Sequence, residues 1–428
     1  MNVPKLRFKE FKDEWSTIEL SKISSEISYG MGLPSKEYDG INKYIRITDI
    51  DENTSKYTNK DIVSPDGELE DKYIVKKNDI LFARTGASTG KTYLYDKKDG
   101  KLYYAGFLIK ANIINHDANF IFQQTHTSKY NKWIKVMSMR SGQPGINSQE
   151  YGSYKFSITS KTEEYKISKT LQLLDKKIEL QTKKIEDLKL FKKGLLIKEF
   201  NNKKCSNKLK ECFDFGKAGG TPKSTNKDYY NGYIPFLSIS DMTTQGKYIY
   251  YTDKSITEAG LNNSTAWLVP KNSIIISMYA SYGLVSINKI DLTTSQAMFN
   301  MVINKNYVVE YIYYYLYYLY ISNFYNSIVS TGTQSNLNAE QIKLLDIYIP
   351  CYNEQKRIYE QFSKIDFKIN LEQKKINELL YLKKVLCKIC LYKTFFILSF
   401  FPKFQFPSEV CKYIVLYIQL TLLSKIIQ

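Results

Sequence analysis

Apolar positions recur with a period of 3.5 residues in two separate stretches of the chain. From about Thr162 to Phe200 they step by four and three, and the same steps return from about Asn353 at a constant offset of 191 positions. One polar residue interrupts each stripe at the same height, Gln181 in the first copy and Glu372 in the second. A narrow apolar stripe of this period is typical of long helices that pair over many turns.

Each stripe is the simplest partner for the other, so we predict two long helices that pair. At about 1.5 Å per residue, each helix is a rod of roughly 55 to 60 Å, longer than one turn of duplex DNA at roughly 34 Å. The residues predicted to make the pairing are Ile167, Leu171, Leu174, Ile178, Ile185 and Leu188 in the first copy, and Ile358, Phe362, Ile365, Ile369, Ile376 and Leu379 in the second.

The stretches before the two helices also repeat each other. Short runs typical of strands occur at Lys43–Ile50 and Asn78–Arg84 in the first, and at Ile234–Met242 and Asn272–Met278 in the second. The chain is thus a tandem repeat of a globular domain and a long helix. We predict five segments: a first domain at 1–160, a helix at 161–205, a second domain at 206–352, a helix at 353–390, and a tail at 391–428.

The loops of the two domains differ where the scaffolds agree. In the aligned repeats ARTGASTGKT of the first domain corresponds to SMYASYG of the second, and the basic pair Arg84 and Lys91 has no second copy. Different loops on one scaffold are expected if each domain reads a different target. A phosphate loop for nucleotides is disfavoured, because its first glycine would fall on Thr85. Loop amides and Lys91 holding the phosphates of DNA fit the pattern better.

The composition favours a nucleic-acid partner and argues against chemistry in the chain itself. The net charge is +18 over 428 residues, although an A/T-rich coding bias adds lysines for no functional reason. Six cysteines without a disulfide framework or a secretory signal indicate a cytoplasmic protein. Cys205 and Cys212 lack zinc spacing, and the only histidines, His116 and His126, lie far from them. We predict neither a metal site nor catalytic residues.

The tyrosine-rich run Val308–Asn326 has two interpretations. Its spacing favours an amphipathic helix with tyrosines on a domain core, and the alternative is an aromatic platform for exposed bases.

Several motifs resemble the specificity subunit of type I restriction-modification systems. They are VPKLRFKEFKDEW, GASTGK, LDKKIELQTKKIEDLKLFKKGLL, TQSNLNAEQIKLLDIYIP and NEQKRI, and they run in the same order within the same tandem plan from about Met1 to Lys384. The resemblance implies an α+β fold, with two tandem α/β target-recognition domains separated and braced by two long antiparallel coiled-coil helices.

The same resemblance implies the function and the partners. Each domain would read one half of a bipartite, asymmetric site in double-stranded DNA, and the helices would set the unread spacer and dock two methyltransferase subunits and the restriction subunits. The family's subunit is not catalytic and binds no cofactor, because S-adenosylmethionine, ATP and magnesium belong to its partners.

Position and chemistry indicate candidate DNA contacts in both domains. Arg and Gln can read base edges, whereas Lys91 and the small hydroxyls suit phosphates. The two glutamines are equally interpreted as turn residues that cap the structure after them. The candidates are Arg84, Ser88, Lys91 and Gln143 in the first domain, and Tyr279, Ser281 and Gln334 at the matching places in the second.

The tail departs from the repeat after Lys384. One hypothesis is a frameshift, since one extra base before Val385 lets the same DNA read on in the register of the first helix. The alternative is a coiled-coil adaptor that associates with a membrane through Val410–Ile427, but Lys412 and Lys425 leave too few clean apolar residues for a span.

Overall fold

In the computed structural model the chain forms two units. One comprises the residues up to Gln181 together with those from Lys375 onward, and the other runs from Thr182 to Lys374. Each unit holds one globular domain and a part of both long helices. The residues that the structure describes are 4, 7–52, 54–139, 144–201, 203–205, 207–279, 281–329 and 336–391.

The first unit contains ten strands, three short helices and the start of a long one among its described residues. They are β1 (Ser16–Glu19), β2 (Ser24–Tyr29), β3 (Ser35–Glu37), β4 (Lys43–Ile45), β5 (Val63–Pro65), β6 (Asp79–Ala83), β7 (Thr92–Leu94), β8 (Leu102–Tyr104), β9 (Leu108–Ile113), α1 (Ala118–Gln124), α2 (Ser128–Met137), α3 (Ser148–Ser153), β10 (Lys155–Ile158) and α4 (Lys161–Phe200).

The central sheet of the first unit has the strand order β2-β9-β6-β7 and is antiparallel throughout. Its inner strand β6 is buried along its whole length, as the compact apolar run at Asn78–Arg84 predicts. β4 pairs with β8 in parallel, and β1 pairs with β10 directly before α4. The core beneath this sheet includes Trp15, Phe82 and Tyr151.

The second unit repeats this plan. Its elements are β11 (Asn207–Lys208), β12 (Phe213–Ala218), β13 (Tyr230–Leu237), α5 (Ile239–Gln245), β14 (Tyr248–Ile249), β15 (Lys254–Ile256), α6 (Glu258–Asn262), β16 (Ile274–Ser277), β17 (Val285–Asn288), β18 (Thr293–Thr294), β19 (Met298–Ile303), α7 (Val309–Ile321), α8 (Ala339–Lys343), β20 (Asp346–Ile347) and α9 (Tyr352–Leu391). The main sheet runs β12-β19-β16-β17-β14, and a second one runs β15-β13-β18.

Two of the predicted strands end earlier than the sequence suggests. The Asp49 carboxylate accepts the backbone N–H of Arg46 at 2.8 Å, and Asp241 does the same for Ser238 at 2.8 Å. Each carboxylate turns the chain out of the sheet, so β4 gives way to a 3-10 turn and β13 to α5. The predictions at Lys43–Ile50 and Ile234–Met242 were therefore wrong in their second halves, although both aspartates occupy equivalent places.

The tyrosine-rich run forms α7 and lies in the core of the second unit. Tyr311, Tyr313, Tyr314 and Tyr315 are all buried. The amphipathic-helix interpretation is confirmed, and the interpretation as a platform for bases is wrong for these four residues.

The long helices run antiparallel within each unit. In the second unit the ion pairs join Lys184 to Glu372 (2.9 Å), Lys192 to Asp366 (2.5 Å) and Glu199 to Arg357 (3.8 Å), so numbers fall along α9 as they rise along α4. In the first unit the end of α9 packs on the start of α4, and Asp175 pairs with Lys383 at 2.7 Å. The predicted architecture is confirmed: two tandem mixed domains braced by two long antiparallel helices.

The twelve residues predicted to pair the helices all lie on buried or half-buried faces. Ile167, Leu171, Leu174, Ile185, Ile358, Phe362 and Ile376 are buried. The half-buried ones are Ile178, Leu188, Ile365, Ile369 and Leu379. Glu372, the polar interruption of the second stripe, is buried too, and its carboxylate accepts the ammonium of Lys184.

The segment after Lys384 continues the helix as far as Leu391. Leu386, Cys387 and Leu391 are buried in the core of the first unit. The rest of the tail, from 392 on, lies outside the described residues, and the membrane alternative depended on it. Of the helices in the described part of the chain, none combines the length and apolar character needed to span a membrane.

His126 lies beneath the loop that follows the 3-10 turn at Ile47–Asp49. Its Nδ1 is 3.1 Å from the carbonyl oxygen of Phe122, which can only accept, so the ring proton sits on Nδ1 and Nε2 accepts from the Ser55 hydroxyl at 3.0 Å. Desolvation of the ring, with the positive charge of Lys383 next in size, lowers the pKa of His126 to about 4.

We expect His126 to make the first unit sensitive to acid. Between pH 6.5 and about 4 the His126 ring is protonated in the unfolded chain but neutral in the folded chain. The free energy of unfolding therefore falls as the pH falls through this range. His126→Gln keeps one donor and one acceptor and should remove about 2 kcal/mol of the loss between pH 7 and pH 4.5. Denaturant titrations followed by tryptophan fluorescence suit this test in a Trp267→Phe background, because the other two tryptophans, Trp15 and Trp133, both belong to the first unit. An equal effect of His116→Gln would contradict the assignment.

Candidate DNA interface

In the first domain the candidate residues lie on the hairpin loop between β6 and β7. The loop closes through hydrogen bonds from the Gly90 amide to the Ala83 carbonyl at 2.9 Å and from the Lys91 amide to the Ser88 carbonyl at 3.0 Å. Gly86 and Gly90 have positive φ angles of 67° and 92°, which glycine adopts without a steric cost. A buried strand therefore ends in a tight loop that presents Arg84, Ser88 and Lys91 together.

Arg84 is held in a defined orientation at the start of this loop. Its backbone amide donates to the carbonyl of Phe107 at 3.0 Å, its Nη1 donates to the carbonyl of Gly106 at 3.3 Å, and its guanidinium lies 4.9 Å above the ring of Tyr29. The Tyr29 hydroxyl accepts the backbone N–H of Ser148 at 3.0 Å, which fixes the ring in turn. A guanidinium oriented in this way loses less conformational entropy when it makes a bidentate contact.

Ser88 and Lys91 are half-buried in the same loop. In the described part of the chain no carboxylate lies within ion-pair distance of Lys91. Its charge is thus available to an anionic ligand such as a phosphate.

The segment before α3 runs alongside the loop. Gly86 donates its amide to the carbonyl of Pro144, and Ile146 donates to the carbonyl of Arg84, each at 2.9 Å. Asn147 then caps α3 by accepting the amide of Glu150 at 2.9 Å. Gln143, which was interpreted either as a base reader or as a turn residue that caps the structure after it, lies outside the described residues.

The second domain repeats the frame of this loop with different side chains. Leu337 donates to the carbonyl of Met278 at 2.9 Å, as Ile146 does to Arg84, so Met278 occupies the place of Arg84. Leu284 donates to the carbonyl of Ser281 at 3.2 Å, so Leu284 replaces Lys91 and Ser281 replaces Ser88. The prediction that the basic pair has no second copy is confirmed.

Tyr279 follows Met278 and is 42% exposed. It therefore lies one residue beyond the counterpart of Arg84. Ser281 has a φ of 62° and accepts the hydroxyl of Ser277 through its carbonyl at 2.7 Å, which tightens the loop. Asn338 caps α8, as Asn147 caps α3, and Gln334 lies outside the described residues.

Sequence reasoning missed Tyr29 as the support of Arg84. Its contact joins β2 to the end of β6, and no local motif connects residues so far apart in the chain. Only the strand order reveals it. In the ranges that the structure describes, no group of three or more His, Cys, Asp or Glu side chains is placed to hold a metal ion.

The model of the type I restriction modification DNA specificity domain matches the chain twice, at residues 13–190 and 203–381. The chain belongs to this family. Each match contains one globular domain and most of the long helix that follows it.

Three curated relatives carry the same family name. The chain is 31% identical over 176 residues to the type I restriction enzyme MjaIX specificity subunit of Methanocaldococcus jannaschii, with 40% of each chain covered. It is 28% identical over 178 residues to the HindI specificity subunit of Haemophilus influenzae, covering 40% of this chain and 38% of the relative. In these two comparisons the chain spans only about two fifths of the relative's length. It is also 24% identical to the putative MjaX subunit of M. jannaschii, over 91% of this chain and 96% of the relative.

Two solved structures share the fold. A chain from a structure addressing complex assembly and conformational transition of a type I R-M system superposes with a TM-score of 0.56 at 15% identity, covering 88% of this chain and 97% of that one. The S subunit of a type I restriction-modification system from M. genitalium gives 0.55 at 16% identity, covering 92% and 100%.

We expect the left-handed turn at Gly90 to be required for the loop. A Cβ there would lie 2.7 Å from Cγ2 of Ile134 on α2, at a φ that side chains rarely adopt. Gly90→Ala should lower the free energy of unfolding of the first unit by about 1 to 2 kcal/mol. Gly32→Ala is the matched control, because a Cβ at Gly32 meets nothing within 4 Å. Urea unfolding of both variants that gives equal midpoints would show that the turn tolerates a side chain.

Proposed function

We propose that this chain is the non-catalytic DNA specificity subunit of a type I restriction-modification complex. Each globular domain reads one half of a bipartite, asymmetric site in double-stranded DNA. The paired helices hold the two readers apart, so the bases between the half-sites are not read.

One observation carries this proposal. The same hairpin frame is built twice, with matching backbone hydrogen bonds, but it carries the half-buried Arg84 and Lys91 in one domain, and the buried Met278 and half-buried Leu284 in the other. A scaffold that stays constant while the charge of its loop side chains changes is what two different half-sites require.

The partners follow from the family to which the chain belongs. Two methyltransferase subunits dock on the helix pair and the restriction subunits join them, in the cytoplasm. S-adenosylmethionine, ATP and magnesium act in those partners, and this chain supplies recognition alone.

The loop residues divide by chemistry. Arg84, oriented by Tyr29, reads a base edge, and the guanidinium geometry favours guanine. Lys91, Ser88 and Ser281 hold phosphates, and Tyr279 contacts the second half-site. Gln143 and Gln334 keep the role of base readers in this proposal.

A base-resolution map of adenine methylation tests the proposal directly. The chain is expressed with its cognate methyltransferase subunit, and a new bipartite motif is expected in the host genome. Replacing the loop Arg84–Lys91 by Met278–Leu284 should alter one half of the motif and leave the other unchanged.

A second variant separates a wrong function from a silenced copy. It ends after Lys384 and carries the ending of the first helix, Val385 onward being replaced by Gly194–Phe200. A motif made only by this variant would mean that the tail silences the chain, and no motif from either chain would overturn the proposed function.

The salt dependence of binding should distinguish Lys91 from Arg84. Lys91→Ala should lower the slope of log K against log salt by about 1 and weaken binding to all sequences alike. Arg84→Ala should cost roughly 1 to 3 kcal/mol on the specific site and relax the preference at one base pair. Fluorescence anisotropy with the assembled methyltransferase measures both, and Lys155→Ala, which removes an exposed lysine on β10 outside the hairpin loop and the long helices, serves as the control. Equal losses from all three would contradict these roles.

A further inference from the structure

Asp366 joins three elements of the second unit at one carboxylate. It accepts the ammonium of Lys192 on α4 at 2.5 Å and the hydroxyl of Tyr314 on α7 at 2.6 Å, while lying on α9 itself. The Lys192 ammonium also lies 5.0 Å above the ring of Tyr317. We call Asp366, Lys192, Tyr314 and Tyr317 the second junction.

The first unit contains the same arrangement. Asp175 on α4 pairs with Lys383 on α9 at 2.7 Å and accepts the side-chain amide of Gln123 on α1 at 3.1 Å. The positive charge of Lys383 also lowers the pKa of His126, which lies three residues after Gln123. We call Asp175, Lys383, Gln123 and His126 the first junction.

The two junctions correspond residue by residue at the offset of the sequence repeat. The two residues on the long helices are the same in both junctions, an aspartate and a lysine. The two residues on the globular domain differ: a glutamine and a histidine in the first junction, and two tyrosines in the second. The matching pairs are Asp175 with Asp366, Lys383 with Lys192, Gln123 with Tyr314, and His126 with Tyr317.

A second arm of each domain reaches the same place. In the first unit Ser55 donates its hydroxyl to His126 at 3.0 Å, and the neighbouring Lys56 pairs with Glu179 on α4 at 2.6 Å, one helical turn from Asp175. In the second unit Lys247 donates to the Tyr314 hydroxyl at 2.8 Å and lies 3.9 Å from Asp366. Each domain therefore contacts the long helices through two segments of its chain, and two contacts restrict its orientation more than one would.

The junctions are partly removed from solvent, so their charges depend on one another. The side chains of Lys192 and Asp366 are 11% and 22% exposed, and those of Lys383 and Asp175 are 22% and 29% exposed. Removal of one partner leaves the other charge desolvated and unpaired, which is strongly unfavourable in such a setting.

We propose that the two Asp–Lys junctions are positioning elements that fix the angle of each recognition domain on the helix pair and thereby make the spacer length strict. This inference rests on the proposed function, because spacer length has meaning only for a reader of bipartite DNA. The junction residues do not touch the DNA and act through the domains that they orient.

Charge reversal in the first unit gives the sharpest test. Lys383→Asp and Asp175→Lys each place like charges together, and the double variant restores an opposite pair. The double variant can be accommodated because Gln123 carries a buried Oε1 that lacks a partner among the described residues and can accept from a lysine at 175. Lys155→Asp, which reverses an exposed charge on β10 outside the long helices, is the control.

The first readout is the methylation map, expressed as the ratio of modified sites with a spacer one base pair longer or shorter to those with the correct spacer. Both single reversals should raise this ratio about tenfold, the equivalent of ~1.4 kcal/mol, with the half-site sequences unchanged. The double reversal and the control should keep the ratio of the unmodified chain. Methylation that falls equally at all spacers would assign the junction a merely structural role and overturn the inference.

The second readout does not depend on DNA. Spin labels carried by non-natural residues at Ile41 and Tyr165, both exposed and both in the first unit, report the distance from the domain to α4. The single reversals should broaden this distance distribution, and the double reversal should narrow it again. An unchanged distribution would overturn the positioning role. A chain that passes this test but yields no motif with either ending of α9 would contradict the proposed function alone.

Discussion

The structure depends on the antiparallel pairing of α4 with α9, because the first unit is complete only when the end of α9 packs on the start of α4. The first unit consists of residues up to Gln181 closed by the end of α9, so its core contains Leu386 and Leu391 from more than 180 residues downstream. The second unit is continuous from Thr182 to Lys374. Loop-closure entropy grows only slowly with length, so this return is tolerated, but its contacts form late. Because its residues are contiguous, we expect the second unit to fold before the end of α9 closes the first.

How the sequence encodes this plan differs between the helices and the domains. The period of 3.5 residues specified both helices and their pairing faces, because apolar side chains at that spacing have one buried arrangement. The strands were harder to predict, because Asp49, three residues after Arg46, and Asp241, three residues after Ser238, end the two strands through side-chain hydrogen bonds to those residues. The alternation of apolar and polar residues does not reveal such hydrogen bonds, so the strands predicted at Lys43–Ile50 and Ile234–Met242 were too long.

The candidate interface shows the same division. The hairpin loop with Arg84, Ser88 and Lys91 was predictable, because a buried strand that enters a glycine-containing loop must turn there and bring the loop residues towards the surface. The support of Arg84 by Tyr29 and the replacement of Arg84 by Met278 were not, since both depend on strand order and on a loop one residue shorter in the second domain. Position and chemistry predicted Tyr279 among the counterparts of the first-domain candidates, whereas the hydrogen bonds put Met278 in the place of Arg84.

The last turns of α9 keep the apolar positions of α4 although their sequence is no longer similar to that of α4. Sequence similarity to α4 ends after Lys384, yet Leu386, Cys387 and Leu391 lie in the core of the first unit, as Leu195, Leu196 and Phe200 lie in or against the core of the second. The apolar positions thus continue through the segment that the frameshift hypothesis calls foreign. Cysteine and leucine at 387 and 391 are smaller than the leucine and phenylalanine at the corresponding places, so the first unit closes with less buried apolar volume. The helix itself persists to Leu391. If the segment after Lys384 arose by a frameshift, the change therefore affects how well the end of α9 packs in the first unit.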